Sequence, residues 1–300
     1  MTAASPGERP SLLHRLGSTP APALVAGLAF LLLFWEPLRT LSRDWWSDPD
    51  AGHGLLLGPL ALYLAWRKGL ERGNQEGDER GRGRPAWGVA ILTGAVVLRY
   101  LSGLAAELFT MRLSLLAAVV GLIVFAWGWG QVHRWWLPAA LLLLSIPVPA
   151  VILNTVAFPL QLKASQMGAR LLELRQVPVV LAGNVIHLPG RSLFVTEACS
   201  GLRSLTALLA LGVLIGGLWL ASTWGRVLLV VAAVPVALVL NGLRVFLTGF
   251  LVYFVSPQLG DGFLHLTEGW VIFVIAFVIL GGVAWLVSRG EHALAARGPA

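Results

Sequence analysis

The sequence predicts an all-α polytopic membrane protein of about eight transmembrane helices, with a small outside helix plus β-hairpin before the sixth. Three observations carry that expectation. Hydrophobic residues make up 57% of the 300-residue chain and charged residues only 12%, roughly half the charged share of an ordinary globular domain. Mean hydropathy is +0.77, and a soluble fold of this length cannot enclose that much apolar surface. The apolar residues also gather in runs close to the roughly 20 residues a helix needs to cross a ~30 Å hydrocarbon core.

Taken in order, those runs are Pro22–Leu38, Gly52–Trp66, Ala86–Leu104, Leu113–Gly130, Trp135–Leu153, Gly201–Ser222, Val227–Phe254 and Gly269–Val287. Together they define a transmembrane domain over 22–287. Tryptophans recur near their ends (Trp35, Trp45, Trp46, Trp66, Trp87, Trp135, Trp136, Trp270 and Trp285), where an amphipathic ring suits the membrane–water interface. Residues 1–21 contain no apolar core followed by a small-residue cleavage site, so they read as a cytoplasmic N-terminal tail leading into an uncleaved helix. With that terminus inside, twelve Lys or Arg residues fall in cytoplasmic segments, among them Arg67, Lys68, Arg134, Arg226 and Arg289, and seven outside, including Arg39, Arg112 and Arg170. The positive-inside rule favours this orientation. Residues 67–85 form a basic, glycine-rich cytoplasmic loop, and 288–300 a cytoplasmic C-terminal tail.

The segment 154–198 lies outside the membrane on this topology. Over Thr155–Gln176, Val156, Leu160, Met167, Leu171 and Leu174 recur at helical spacing among Lys163, Arg170 and Arg175, which reads as a helix lying in the outer interface. Pro147-Val148-Pro149 ends the span before it. The β-branched runs of Val177–Thr196 are punctuated by Gly183-Asn184 and Pro189-Gly190, which is hairpin chemistry.

Three side chains stand out chemically. Cys199, the only cysteine, sits in Thr196-Glu197-Ala198-Cys199-Ser200-Gly201-Leu202-Arg203, at the N-terminal end of the sixth run. Unpaired amides at a helix start lower a thiol's pKa, and Arg203, at i+4, adds to the field. Arg244 interrupts the seventh run beside Asn241, where an ionised side chain costs at least about 2.5–3.5 kcal/mol unless a polar cavity or the interface receives it. His265 precedes the eighth run. Each has a plainer reading: a small apolar filler, a snorkelling arginine, an interfacial histidine. All three nonetheless map to the same outer end of the membrane, and a thiol, a fixed cation and an imidazole are the parts acyl transfer requires. His53, in Gly52-His53-Gly54, falls at that end too and competes with His265 as the base. Arg99, mid-way along the third run, reads as structural, pairing with Glu107 or reaching the interface. Gly201 and Gly242 read as close-packing sites.

These residues carry a resemblance. The chain is similar, roughly from Trp46 to Trp270, to the exosortase/archaeosortase family of membrane-embedded cysteine transpeptidases. Glu197-Ala198-Cys199-Ser200-Gly201-Leu202-Arg203-Ser204 is the strongest motif, joined by Asn241-x-x-Arg244 and His265. Trp46 with His53-Gly54 looks like an early Trp…His-Gly element, although Asp50-Ala51 replaces the usual Tyr-Ser. Pro147-Val148-Pro149 and Leu160-Gln161-Leu162 look like a middle one. The resemblance implies Cys199 as nucleophile with Arg244 and His265 as catalytic partners, and Glu197, Arg203, Asn241 and His53 in supporting or substrate-binding roles. It implies a bacterial cytoplasmic (inner) membrane enzyme facing the periplasm. Its substrates would be membrane-inserted proteins bearing a C-terminal sorting signal of the PEP-CTERM type.

Composition narrows the remaining choices. One cysteine excludes an intrachain disulfide and a cysteine-rich metal site. No phosphate-binding glycine loop or metal-ligand spacing is present, so neither cofactor nor metal is expected. The sequence pI near 10.7 suits anionic lipid rather than nucleic acid, since no basic stripe interleaves with aromatics. A component of polysaccharide or lipid-linked glycan export is the alternative function. It would place charges at several depths along one route, whereas here they gather towards one face.

Overall fold

The computed structural model describes residues 21–48, 51–69, 83–195, 201–256 and 263–296, with backbone alone at several helix starts, including 201–204 and 263–270. Helix α1 (Ala21–Leu33) meets α2 (Trp35–Ser47) at a 60° bend at Phe34, whose ψ of 16° departs from the helical basin. Helix α3 (Gly54–Lys68) stops at Gly69, which adopts the φ of 66° that glycine tolerates.

Helices α4 (Pro85–Leu104) and α5 (Leu108–Arg134) form an antiparallel pair. Proline begins the first, where no helical N–H is required. Glu107 caps the second, its carboxylate accepting from Phe109 N–H at 2.9 Å and Thr110 N–H at 2.7 Å. Of the two readings of Arg99, pairing with Glu107 gives way to this helix cap, and no ion pair joins the two residues among those described. Helix α5 kinks at Gly128 (φ 76°), and beside the kink Arg84 N–H donates to the Val124 carbonyl at 2.9 Å.

The expected fifth span is divided. Helix α6 (Trp136–Leu144) has nine residues, and α7 (Ala150–Leu174) starts after Pro147-Val148-Pro149. Two prolines in three positions remove N–H donors and push their predecessors out of the helical basin. Helix α7 packs by a face other than its large apolar residues. Its buried stripe is Gln161, Ala164, Ser165, Gly168, Ala169 and Leu172, while Lys163, Gln166, Arg170, Glu173 and Leu174 are exposed. Small residues thus form the face packed on the helix Thr223–Phe254, and Leu174 of the apolar stripe points outward.

The hairpin prediction falls where its turns were placed, with one more strand. Strands β1 (Val180–Ala182), β2 (Val185–Leu188) and β3 (Arg191–Phe194) form an antiparallel meander in that order. Two-residue turns occupy Gly183-Asn184 and Pro189-Gly190, with Gly183 at φ 63° and Gly190 at φ 81°. Ile186 lies opposite Leu193.

Helices α8 (Gly201–Trp219), α9 (Thr223–Phe254) and α10 (Phe263–Ala296) complete the chain. The last does not stop at Val287 as expected. It continues to Ala296, and Glu291 accepts from the backbone N–H groups of Ala221 and Ser222.

By length and composition, four described helical stretches can cross a membrane: Pro85–Leu104, Leu108–Arg134, Thr223–Phe254 and Val271–Leu294. The bent α1–α2 pair makes five if it counts as one span. The expected eight is not reached on this criterion among the fully described residues: α3 and α6 are short, a 15-residue helix such as α3 rising only about 22 Å, and of α8 only Leu205–Trp219 is counted.

Apolar packing links these helices through four clusters. Phe34, Ala95, Leu115 and Ala118 join α4 and α5 to the bend. Leu57, Ala61 and Leu64 pack on Leu137, Leu141 and Ala210. Leu205 to Ile215 of α8 meet Leu229 to Leu240 of α9 and Ala276 to Ala284 of α10. Ile186, Leu193 and Val195 bed the sheet on Ala169, Leu172, Val245 and Val252.

One end of the bundle is cationic. Lys68 Nζ donates to the Arg134 carbonyl at 3.1 Å, Arg134 Nη2 to the Lys68 carbonyl at 2.6 Å, and the Arg226 guanidinium stacks 4.9 Å over Trp136. Burial, then the Arg226 and Arg134 guanidiniums, hold the Lys68 ammonium below the usual lysine range. These residues belong to the cytoplasmic group of the sequence topology.

Candidate functional site

Gly242 and Gly249 of α9 face α7: a β-carbon at Gly242 would lie 1.8 Å from Met167 Cε, and one at Gly249 2.7 Å from Leu172 Cδ1. From the α7 side, a β-carbon at Gly168 would lie 2.4 Å from Val245 Cγ1. Moving four residues along α7, from Gly168 to Leu172, matches four along α9, from Val245 to Gly249, so these helices run parallel in close contact. Their seam carries an unusual amount of polarity for an apolar bundle. Gln161, Ser165, Asn241 and Thr248 are all buried, and Asn241 Oδ1 has no hydrogen-bond partner among the described residues. A buried amide oxygen left unpaired typically costs about 1–3 kcal/mol. Such a group often marks a place where something polar is received.

Arg244 is half-buried one turn beyond Asn241. Its neighbour Val245, 3% exposed, belongs to the core beneath the sheet. Val195, just past β3 and 1% exposed, is in that same core. The end of the meander is thereby fixed to the stretch of α9 that bears Arg244.

Two antiparallel registers bring other elements to this level. A β-carbon at Gly212 of α8 would lie 3.5 Å from Val230 Cα, and one at Gly216 3.5 Å from Arg226 Cα. Gly201 lies as far before Gly216 as Asn241 lies after Arg226, about 22 Å of helical rise. The backbone start of α8 therefore reaches the depth of Asn241 and Arg244. On α10, Val287 and Glu291 lie against Gly225, while Ala284, Leu280 and Ala276 pack with Leu229, Ala233 and Ala237. Continued, that pairing sets the backbone of His265 near the level of Thr248, about one turn beyond Arg244.

Of the sequence-nominated residues, Arg244, Asn241 and His53 are described in full. Arg203 and His265 are described in backbone only, and Glu197 and Cys199 lie outside the described residues. His53 has contacts of its own. Preceding α3, its Nε2 lies 3.2 Å from the Leu144 carbonyl, and its buried Nδ1 has no partner among the described residues. Beside it the indole of Trp45 rests on Gly54 and Gly58, where a β-carbon would approach to 2.1 Å and 2.8 Å, and donates to the Ser145 carbonyl at 2.8 Å. Of the two adjacent tryptophans, Trp45 is the packed one; Trp46, of the early Trp…His-Gly element, is 82% exposed. Next to Trp45, Asp44 Oδ2 accepts from Arg112 Nη2 at 2.6 Å, with the arginine side chain 3% exposed. Sequence reasoning passed over this ion pair. By sequence alone Arg112 is one more outside cation, and its wide separation from Asp44 in the chain offers no local signal.

Comparison with curated proteins and with solved structures gives no match. The family model for the transmembrane exosortase matches residues 45–282, from Trp45 through most of α10. With its long apolar helices, the chain is a multi-pass membrane protein that belongs to the transmembrane exosortase family.

Proposed function

We propose that the chain is a cysteine peptidase or transpeptidase that cleaves the C-terminal sorting signal, PEP-CTERM-like, of exported proteins at the periplasmic face of the inner membrane. The observation that carries this reading is the family match over 45–282, which contains Cys199, Arg244 and His265. The helix registers support it, since they bring the backbone starts of α8 and α10 towards the depth of Arg244. Cys199 precedes α8 by two residues, where the positive end of the helix dipole favours a thiolate.

In this mechanism the Cys199 sulfur attacks the carbonyl carbon of the scissile peptide. Negative charge moves to the carbonyl oxygen, and the fixed guanidinium of Arg244 stabilises it, a role in which losing one donor typically costs about 10²–10³ in rate. The His265 imidazolium gives its proton to the departing amine nitrogen as the C–N bond breaks, leaving a thioester on Cys199. The neutral imidazole then takes a proton from the incoming nucleophile, which attacks the thioester carbonyl and releases the thiolate. Water as nucleophile gives proteolysis; an amine gives transpeptidation.

The test is co-expression with a membrane-anchored reporter carrying such a tail. Shortened reporter should accumulate with the wild-type chain, and only full-length reporter with Cys199→Ala at equal abundance. Normal processing by Cys199→Ala rules the mechanism out.

A further inference from the structure

The meander has two unlike edges. Strand β1 lies beside α7, whereas β3 ends the sheet. The register shows which β3 groups face outward. Leu193 pairs with Ile186, Arg191 with Leu188 across the two-residue turn, and Val195 N–H donates to the Asn184 carbonyl at 3.0 Å. These alternate residues exchange their bonds with β2, so the N–H and C=O of Ser192 and Phe194 point to the open edge. Both residues are exposed, Phe194 at 47%, and neither backbone has an outward hydrogen bond among the described residues. They offer two donor–acceptor sets spaced two residues apart, the template an extended peptide completes.

We propose that β3 is the substrate-docking edge of this protein, and that the stretch of substrate flanking the scissile bond adds to it as a fourth strand. The proposal rests on the peptidase reading above and specifies how that site takes its substrate. Three arguments commit the edge to this occupant. A membrane-helical tail hides its carbonyls in i→i−4 bonds, so the bond to be cut must lie in an unwound, extended segment whose freed backbone groups need partners at the membrane surface. Strand β3 supplies such partners. It leads within five residues of Phe194 to Cys199, a reach of at most about 17 Å. And Val195, at its end, shares a core with Val245 beside Arg244, so a peptide paired along β3 is delivered towards the guanidinium. On the exposed face the added strand would run beside Phe194 and the His187 Nδ1–Ser192 Oγ pair, 2.7 Å apart, which favours an apolar residue next to the ring and a polar one next to the hydroxyl.

The single native cysteine allows a clean test on the full chain in membranes. In a Cys199→Ala background, Ser192→Cys or Phe194→Cys provides the only thiol, and a cysteine is walked residue by residue through the reporter segment before its membrane helix. Disulfides at alternate reporter positions support edge pairing; a 3.6-residue repeat, or no crosslink at any position, overturns it. As a second readout with Cys199 present, Phe194→Pro removes one outward N–H while leaving the β2 ladder intact, a change edge strands tolerate. Processing should fall about ten-fold further with Phe194→Pro than with Phe194→Ala at matched abundance, the upper range for one lost hydrogen bond; equal processing by the two overturns the proposal. If Cys199→Ala abolishes cleavage but the crosslinks show no two-residue repeat, the edge reading fails while the peptidase reading stands. If the repeat appears and Cys199→Ala still cleaves, the edge binds peptide and the cysteine mechanism is the part that fails.

Discussion

Gly168→Ala tests whether the α7–α9 seam holds Arg244 in place. The added β-carbon would lie 2.4 Å from Val245 Cγ1, 2.8 Å from Val245 Cβ and 3.2 Å from the Phe246 backbone nitrogen. Carbon atoms in contact prefer about 3.5–4.0 Å, so at least about 1 Å must be found. Val245 cannot supply it by rotating, because a β-branched side chain in a helix is confined to essentially one rotamer. The backbone nitrogen is fixed in α9. The helices must therefore part locally, and overpacking of this kind costs about 1–3 kcal/mol.

That displacement is centred on the residue next to Arg244. A misplacement of about 1 Å can cost about 10²-fold in rate, so Gly168→Ala should lower reporter processing about a hundred-fold while lowering the unfolding temperature in detergent by only a few degrees. Val245→Ala in the same chain removes the nearest methyl, though the Val245 Cβ contact at 2.8 Å stays. The double variant should recover part of the activity and stability lost in Gly168→Ala, giving a favourable coupling in the cycle. Wild-type processing and melting by Gly168→Ala, or a double variant no better than the sum of the singles, would refute the seam as the device that positions the guanidinium.

Two further outcomes follow from groups outside that seam. Asp44→Ala leaves the Arg112 side chain, 3% exposed, without its counter-charge and should destabilise the protein by about 3 kcal/mol, the lower part of the buried-pair range because Asp44 is 30% exposed; Asp44→Leu with Arg112→Met should recover most of the loss in the same thermal assay. Glu107, in the turn before α5, has its carboxyl held below the ordinary range first by the Thr110 hydroxyl, against the opposing effect of burial, with further help from the Thr110 and Phe109 N–H groups and the Arg112 charge. A folded-state value lowered in this way contributes stability that is fully present above the unfolded glutamate value near about 4.3 and is lost as pH falls through the folded value. Glu107→Gln should therefore flatten part of the acid limb of the stability–pH curve and leave its neutral slope unchanged.

What the sequence made legible follows from the range of the forces involved. The turns at Gly183-Asn184 and Pro189-Gly190 are local chemistry, set by residues that accept positive φ or end a strand, and they appear where spacing put them. Helix α9, a long apolar run, was found to within a few residues at its start and correctly at Phe254. The packed face of α7 is a different matter. Large apolar residues at helical spacing mark the helix itself, but in a bundle that packs by close backbone approach the face against the neighbouring helix is the small-residue one, here Ala164, Ser165, Gly168 and Ala169. Nor does the sequence say which of Trp45 and Trp46 packs: adjacent tryptophans on a helix point about 100° apart, and only contact with Gly54, Gly58 and Ser145 selects Trp45. Within the candidate site, the oddity of Arg244 in an apolar run was visible at once. The buried polarity around it, from Gln161 and Ser165, was not, because each is unremarkable until α7 and α9 are laid side by side.

The small sheet and the guanidinium are one mechanical unit, and this constrains how the site can be altered. A three-stranded meander of 3–4-residue strands is marginal alone in water and needs a hydrophobic face to rest on. Its Ile186, Leu193 and Val195 find that face on Val245 and Val252 of α9 and on Ala169 and Leu172 of α7. The contacts that keep β3 folded are therefore the ones that flank Arg244. A change beneath the sheet should shift substrate docking and guanidinium position together, appearing as linked losses in binding and turnover. A change confined to the outer edge, at Ser192 or Phe194, touches none of these buried contacts and should separate the two, weakening substrate capture while leaving the rate on captured substrate nearly intact.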